Sequence, residues 1–122
     1  MTTRTMKAGL DEHGILHVVG LEGAVHTLAD AHENVRAVGA FVGTTPRPTL
    51  IDLRDVKYQE REARELYASP EGTGAAMAFA VLVGSSVSRV IGNMFLIASR
   101  PPVPTRLFSD KAEALAWLRT FL

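Results

Sequence analysis

The run Ala75–Val83 limits the possible folds more than any other segment. Nine consecutive residues, Ala-Ala-Met-Ala-Phe-Ala-Val-Leu-Val, carry no charge and no hydrogen-bonding side chain. A membrane-spanning helix needs about 20 apolar residues. The next apolar stretch contains Arg89 and Asn93, so joining the two produces no spanning segment. A half-exposed strand would alternate polar and apolar residues, and this run does not. It reads as a strand buried on both faces, which is the central strand of a mostly parallel sheet with helices on each side. An alanine-rich helix is the competing reading. The strand reading demands an α/β layered fold.

The flanking segments supply the other layers. Thr5–Leu10 and Ile15–Val19 read as two strands of a hairpin around the turn at Asp11–Gly14. Thr27 is placed to cap a helix from Leu28 to Val42, with Asp30 three residues on to close a capping box and Gly43 to stop it. Leu28, Ala31, Val35, Val38 and Val42 recur at helical spacing. Thr49–Leu53 is a short strand, and Glu60–Tyr67 a short helix with Ala63, Leu66 and Tyr67 on one side. Ser69–Gly74 reads as a loop. After the central strand, Gly84-Ser85-Ser86 opens a helix from Val87 to Ala98, with Val87, Val90, Ile91, Met94 and Ala98 as its expected inner stripe. Thr105–Phe108 is the last strand, and Asp110 with Glu113 forms a second capping box before the final helix. The expected order is β-β-α-β-α-β-α-β-α, with right-handed crossovers making the later strands parallel.

A length of 122 residues suits one domain, 1–122. With 47% hydrophobic and 21% charged residues the chain can build a core unaided. Thirteen basic residues balance thirteen acidic ones, which speaks against a nucleic-acid partner. Absence of cysteine removes thiol catalysis, disulfides and cysteine-based zinc sites, and fits a cytoplasmic protein. Met1–Leu10 has no apolar run, so no signal peptide is expected.

No segment spells a catalytic or cofactor motif. His13, His17, His26 and His32 lack metal-ligand spacing and read as surface or interface histidines. Gly72-Thr73-Gly74 precedes a strand and has Met77 where a dinucleotide fingerprint needs glycine. The start of the helix after the central strand offers more. Gly84, Ser85, Ser86, Arg89 and Asn93 gather free amides, hydroxyls and a guanidinium at a helix N-terminus, the chemistry of a weak anion site. Simple capping by the serines explains the same residues. Asp52–Glu65 holds nine charges in fourteen residues. Their alternating sign, with Glu60–Arg64 and Arg61–Glu65 four apart, describes a solvated or partner-contact face rather than a catalytic site.

The combination Asp52-Leu53-Arg54, Arg61-Glu62-Ala63-Arg64, Ser88-Arg89-Val90-Ile91-Gly92-Asn93, Pro104-Thr105-Arg106-Leu107-Phe108 and Ala114-Leu115-Ala116-Trp117-Leu118 resembles a bacterial family of unknown function with the STAS fold of anti-sigma-factor antagonists, often labelled STAS/SEC14-like. The likeness runs from Leu50 to the end, and the N-terminal third agrees only in layout. It implies a small, non-enzymatic regulatory or protein-interaction module, dimeric, without a cofactor. Phosphorylated antagonists carry a Ser or Thr at the start of the helix after the third strand. Here Arg61 or Glu62 stands at that place, so the usual phosphoacceptor is lacking. The expected partner surface is Tyr58, Arg61, Glu62 and Arg64. The alternative is a binder of a small anionic or acyl ligand at Gly84–Arg89; a lipid-sized cavity is not expected in so short a chain. Phe95, Leu96 and Ile97 widen the apolar side of their helix, which leads us to expect a homodimer formed around Phe95 and the Pro101-Pro102 loop.

Overall fold

The computed structural model describes residues 1–122. Strands β1 (Met6–Leu10) and β2 (Leu16–Gly20) form the antiparallel hairpin, with Met6 opposite Gly20 and Leu10 opposite Leu16. Asp11 makes the turn: its Oδ1 accepts the amides of His13 and Ile15 at 2.8 and 3.0 Å. The chain continues through β3 (Val25–His26), α1 (Leu28–Val42), β4 (Arg47–Asp52), β5 (Tyr58–Gln59), α2 (Arg61–Ala68), α3 (Pro70–Thr73) and β6 (Ala76–Leu82). It ends with α4 (Ser86–Asn93), a π-helical turn (Met94–Ser99), β7 (Thr105–Phe108) and α5 (Lys111–Arg119).

The five-stranded sheet has the order β1-β2-β4-β6-β7. Only the β1–β2 pair is antiparallel; β2, β4, β6 and β7 run parallel. Val81 pairs with Ile51 on one side and Leu107 on the other, so β6 lies between two strands inside the sheet. The architecture is a mixed, mostly parallel α/β sheet covered by helices. Three short elements add to the expected order: β3 and β5 pair in parallel as a separate two-stranded sheet, and Ser69–Gly74, read as a loop, contains the single turn α3. Ser69 caps it through the Gly72 amide. Gly72 is required there, because a Cβ would fall 2.0 Å from the Leu66 carbonyl oxygen.

Alternate side chains of β6 feed two cores. Ala78, Ala80 and Leu82 pack with Ile15, Leu50 and Phe108 beneath Ala114 and Leu118 of α5. Phe79, Val81 and Val83 pack with Leu53, Val56 and Ala68 beneath Ile91 and Phe95. Asp110 caps α5 by accepting the Glu113 amide at 3.1 Å, but Glu113 does not reach back, so only half of the expected box exists.

The helix expected over Val87–Ala98 is interrupted: α4 gives way to the π turn, which stops at Arg100 with φ of 48°. Its inner face also differs from expectation. Ser88, Ile91, Gly92 and Phe95 are buried, so of the expected stripe only Ile91 points inward, whereas Val87, Val90, Met94 and Ala98 face out. A polar and a small residue hold two of the four inward positions. Ser88 is consumed by capping, and Gly92 lets the helix approach so closely that a Cβ would lie 2.9 Å from Val83 Cγ1. The expected dimer contact at Phe95 is likewise corrected. Phe95 stacks edge-on against Phe79, ring centroids 5.7 Å apart, inside its own core.

Candidate functional site

A polar network ties the start of α1 to the N-terminal arm and to α2. Thr27 and Asp30 form the expected capping box. Arg4 then grips the same carboxylate, its Nε and Nη2 donating at 2.9 and 2.5 Å. That hydrogen bond, with help from Thr27, holds Asp30 down at about 2. One turn further, Asn34 occupies an inward position of α1. Its Oδ1 accepts from the Thr3 hydroxyl at 2.5 Å, and its Nδ2 donates to Thr5 Oγ1 at 2.9 Å and to the Tyr67 oxygen at 2.8 Å. Burial pushes the Tyr67 phenol up to about 12, so it stays neutral. Its oxygen lies 2.7 Å from His26 Nδ1.

The hydrogen-bond pattern assigns the His26 tautomer. The Tyr67 oxygen accepts from Asn34, and its single proton goes to His26 Nδ1 as the nearby acceptor. Burial lowers the His26 pKa, so the ring is neutral near pH 7 and carries its proton on Nε2. That Nε2–H is buried without a hydrogen-bond partner in the chain.

His26 lies on the wall of a cavity of about 160 Å³ between α1 and the sheet. Val35, Val38 and Val42 of α1 form one wall, and Leu16, Ile51 and Phe79 of the sheet form another. These valines are half-buried, so α1 stands off the sheet along its C-terminal half. The strand register orients the cavity. At the carboxyl end of β4 it is closed by His26, Gln59 and Asp52, all buried. At the opposite end Arg47 pairs with Ala76, and Gly39, Gly43, Glu71 and Gly74 are exposed. Two further polar atoms on this wall are buried and unpartnered, Thr73 Oγ1 and Arg47 Nε. Asp52 is engaged by Arg54, which contacts both carboxylate oxygens at 2.8–3.2 Å.

The residues singled out from sequence lie elsewhere, on the face formed by β5, α2 and α4. Gly84, Ser85, Ser86, Arg89 and Asn93 are all exposed. The serines cap their own helix: Ser85 Oγ accepts the Ser88 amide at 3.0 Å, and Ser88 Oγ accepts those of Gly84 and Ser85 at 2.9 and 2.8 Å. Tyr58, Arg61 and Glu62 are exposed as expected, and Arg64 is half-buried. Arg61 pairs with Glu65 at 2.8 Å, but the expected Glu60–Arg64 pair does not form; Arg64 Nε donates to Ser99 Oγ at 3.1 Å instead. The reading of the histidines fails at His26, which is a buried, hydrogen-bonded group. His17 pairs with Asp11 at 2.8 Å. Sequence reasoning thus missed Asn34, His26, Thr73 and Arg47. One signal was present: Asn34 follows Asp30 by four residues and stands in the inward path between Ala31 and Val38, where a polar residue needs a buried partner.

Two solved structures share this architecture. An uncharacterized protein of the DUF3478 family from Shewanella loihica PV-4, described as having a SpoIIAA-like fold, is 17% identical, with 97% of this chain and 98% of that one covered at a TM-score of 0.64. An anti-sigma factor antagonist from Mycobacterium paratuberculosis is 21% identical, with 94% and 93% covered at a TM-score of 0.66. These likenesses establish the STAS-like fold. No helix is long and apolar enough to cross a membrane. No curated protein matches the sequence. Residues 10–122, nearly the whole chain, match the family described as a domain of unknown function, DUF7793, and the protein belongs to that family.

Proposed function

We propose that this chain is a non-enzymatic protein-interaction module of regulatory type, and that its first partner is a second copy of itself. The observation that carries the reading is the outer stripe of α4 and the π turn. Val87, Val90, Met94 and Ile97 are exposed at intervals of three to four residues, Val90 at 62% and Ile97 at 64%. Large apolar side chains at this spacing form a seam that a soluble protein covers with a partner. The flank of that seam is α2, joined to the π turn through the Arg64–Ser99 hydrogen bond. Arg61, Glu62, Arg64 and Glu65 offer both signs of charge there, and Tyr58 adds an exposed ring. A surface with both signs complements its own copy across a twofold axis, where each acidic group meets a basic one. The start of α2, Glu60-Arg61-Glu62, has no hydroxyl, so the module works without a phosphoacceptor at that place.

Light scattering at micromolar concentration tests this reading. The expected mass is twice 13.2 kDa for the natural chain and 13.2 kDa for the double variant Val90→Glu, Ile97→Glu. A natural chain that stays at the single mass removes self-association. A double variant that stays at twice the mass places the interface elsewhere.

A further inference from the structure

We infer that the cavity beneath α1 is a binding site for a small oxygenated carboxylic acid, a hydroxy or oxo acid with a hydrocarbon body of roughly six to eight carbons. Ligand binding there does not require self-association through the exposed α2–α4 face. Its volume, about 160 Å³, is far below a phospholipid but close to that of cavities known to admit a benzene-sized molecule. Its long walls are apolar: valines from α1, and Leu16, Ile51 and Phe79 from the sheet. Such walls fit a hydrocarbon body and offer it no polar partner.

The polar atoms decide the rest. His26 is 4% exposed and Thr73 7% exposed, and each carries an unpartnered polar atom beside the cavity. Buried polar groups are almost always hydrogen-bonded, so unmet ones at a cavity wall call for a ligand atom. At the closed end the unmet group is a donor, the Nε2–H of neutral His26. The Tyr67–Asn34 pair holds the ring in that tautomer from behind. At the open end the unmet groups are Arg47 Nε–H, on a cation, and the Thr73 hydroxyl. Arg47 Nη1 donates to the Gly14 carbonyl at 3.3 Å, which leaves Nε free for another acceptor. The ligand must bring acceptors to both ends, and the charged end selects a carboxylate. Of the two acidic residues on the wall, Asp52 is engaged by Arg54 and Glu71 lies exposed at the rim. The carboxylate therefore rests at Arg47 and Thr73, the hydrocarbon runs under α1, and a hydroxyl or carbonyl oxygen accepts from His26.

Thermal shift and NMR titrations of the full chain with 8-hydroxyoctanoate, octanoate and octylamine test this. The expected order is 8-hydroxyoctanoate tighter than octanoate, with octylamine inert. The His26 imidazole signals move with 8-hydroxyoctanoate. His26→Phe removes the advantage of the hydroxyl, about fivefold in Kd. Val38→Phe fills the space without touching the polar network and abolishes binding while the protein still melts cooperatively. No binding of either acid at millimolar concentration, as with a site that holds ordered water only, overturns the proposal. So does octylamine binding as well as octanoate, equal affinity for the two acids in the natural chain, or undiminished binding to Val38→Phe.

Discussion

The two faces of the sheet are packed by different rules. On the α5 face, Ile15, Leu50, Ala78, Ala80 and Leu82 meet Ala114 and Leu118, and every one of them is essentially solvent-free. Small alanines on β6 bring α5 down onto the strands, and the contact excludes solvent. On the α1 face the valines remain half-buried, the helix stands off, and hydrogen bonds at one end do the anchoring. Both faces belong to the same pair of strands, β4 and β6. The lesson is that the α5 face, with the part of the other face beneath Ile91 and Phe95, secures the fold, and this lets the part beneath α1 keep internal space lined by unmet polar groups.

The largest effect that would break this contrast is Leu82→Asp. It buries an unpaired carboxylate on the closed face, which costs several kcal/mol, a large share of a typical stability of about 5–15 kcal/mol. The expected outcome is loss of soluble folded protein. An unchanged melting temperature would mean that the face is open. Next comes the matched pair Leu118→Ala and Val38→Ala. Leu118 is fully buried, so truncation costs about 2–5 kcal/mol by denaturant titration. Val38 already borders a cavity, so its truncation costs under about 1 kcal/mol. Equal losses at the two sites would erase the difference between the faces.

Tyr67→Phe sharpens the comparison from the polar side. It strands one of the two Asn34 Nδ2 protons, the other still going to Thr5, and the His26 Nδ1 acceptor, at a cost of about 1–3 kcal/mol. The imidazole then loses its enforced tautomer, which its NMR signals report. The smallest effect is the pH dependence of the melting temperature. Burial lowers the His26 pKa in the folded state, so its contribution is complete above the unfolded value near 6.5 and is lost as pH falls below it. Asp30, held at about 2 by Arg4, contributes above the unfolded value of 3.8 and loses that contribution between there and about 2. The melting temperature should therefore fall in two stages on acidification, and His26→Phe should remove only the upper one.

Local signals identified most of the fold. The apolar run Ala75–Val83 announced a strand buried on both faces, and β6 occupies Ala76–Leu82 between β4 and β7. Thr27 and Asp30 announced the start of α1, because a capping box is completed within four residues. The inner face of α4 departs from its apolar pattern for an equally local reason: Ser88 and Gly92 do not look like core residues. Ser88 is buried by a capping bond and Gly92 by close approach to Val83, and hydropathy records neither.

Sequence alone determined the layered class, the order of most strands and helices, and the lack of a hydroxyl at the start of α2. Each of these depends on residue type and on spacings of a few residues. The tertiary structure decided how far α1 stands from the sheet and which polar groups meet beneath it. His26 and Tyr67 are separated by 41 positions, and Asn34 and Tyr67 by 33. The cavity wall draws Arg47 and Thr73 from different elements again. Periodicity says which side of a helix is apolar. The gap beneath that side depends on how all the surrounding layers pack together, and no single stretch of sequence contains that information.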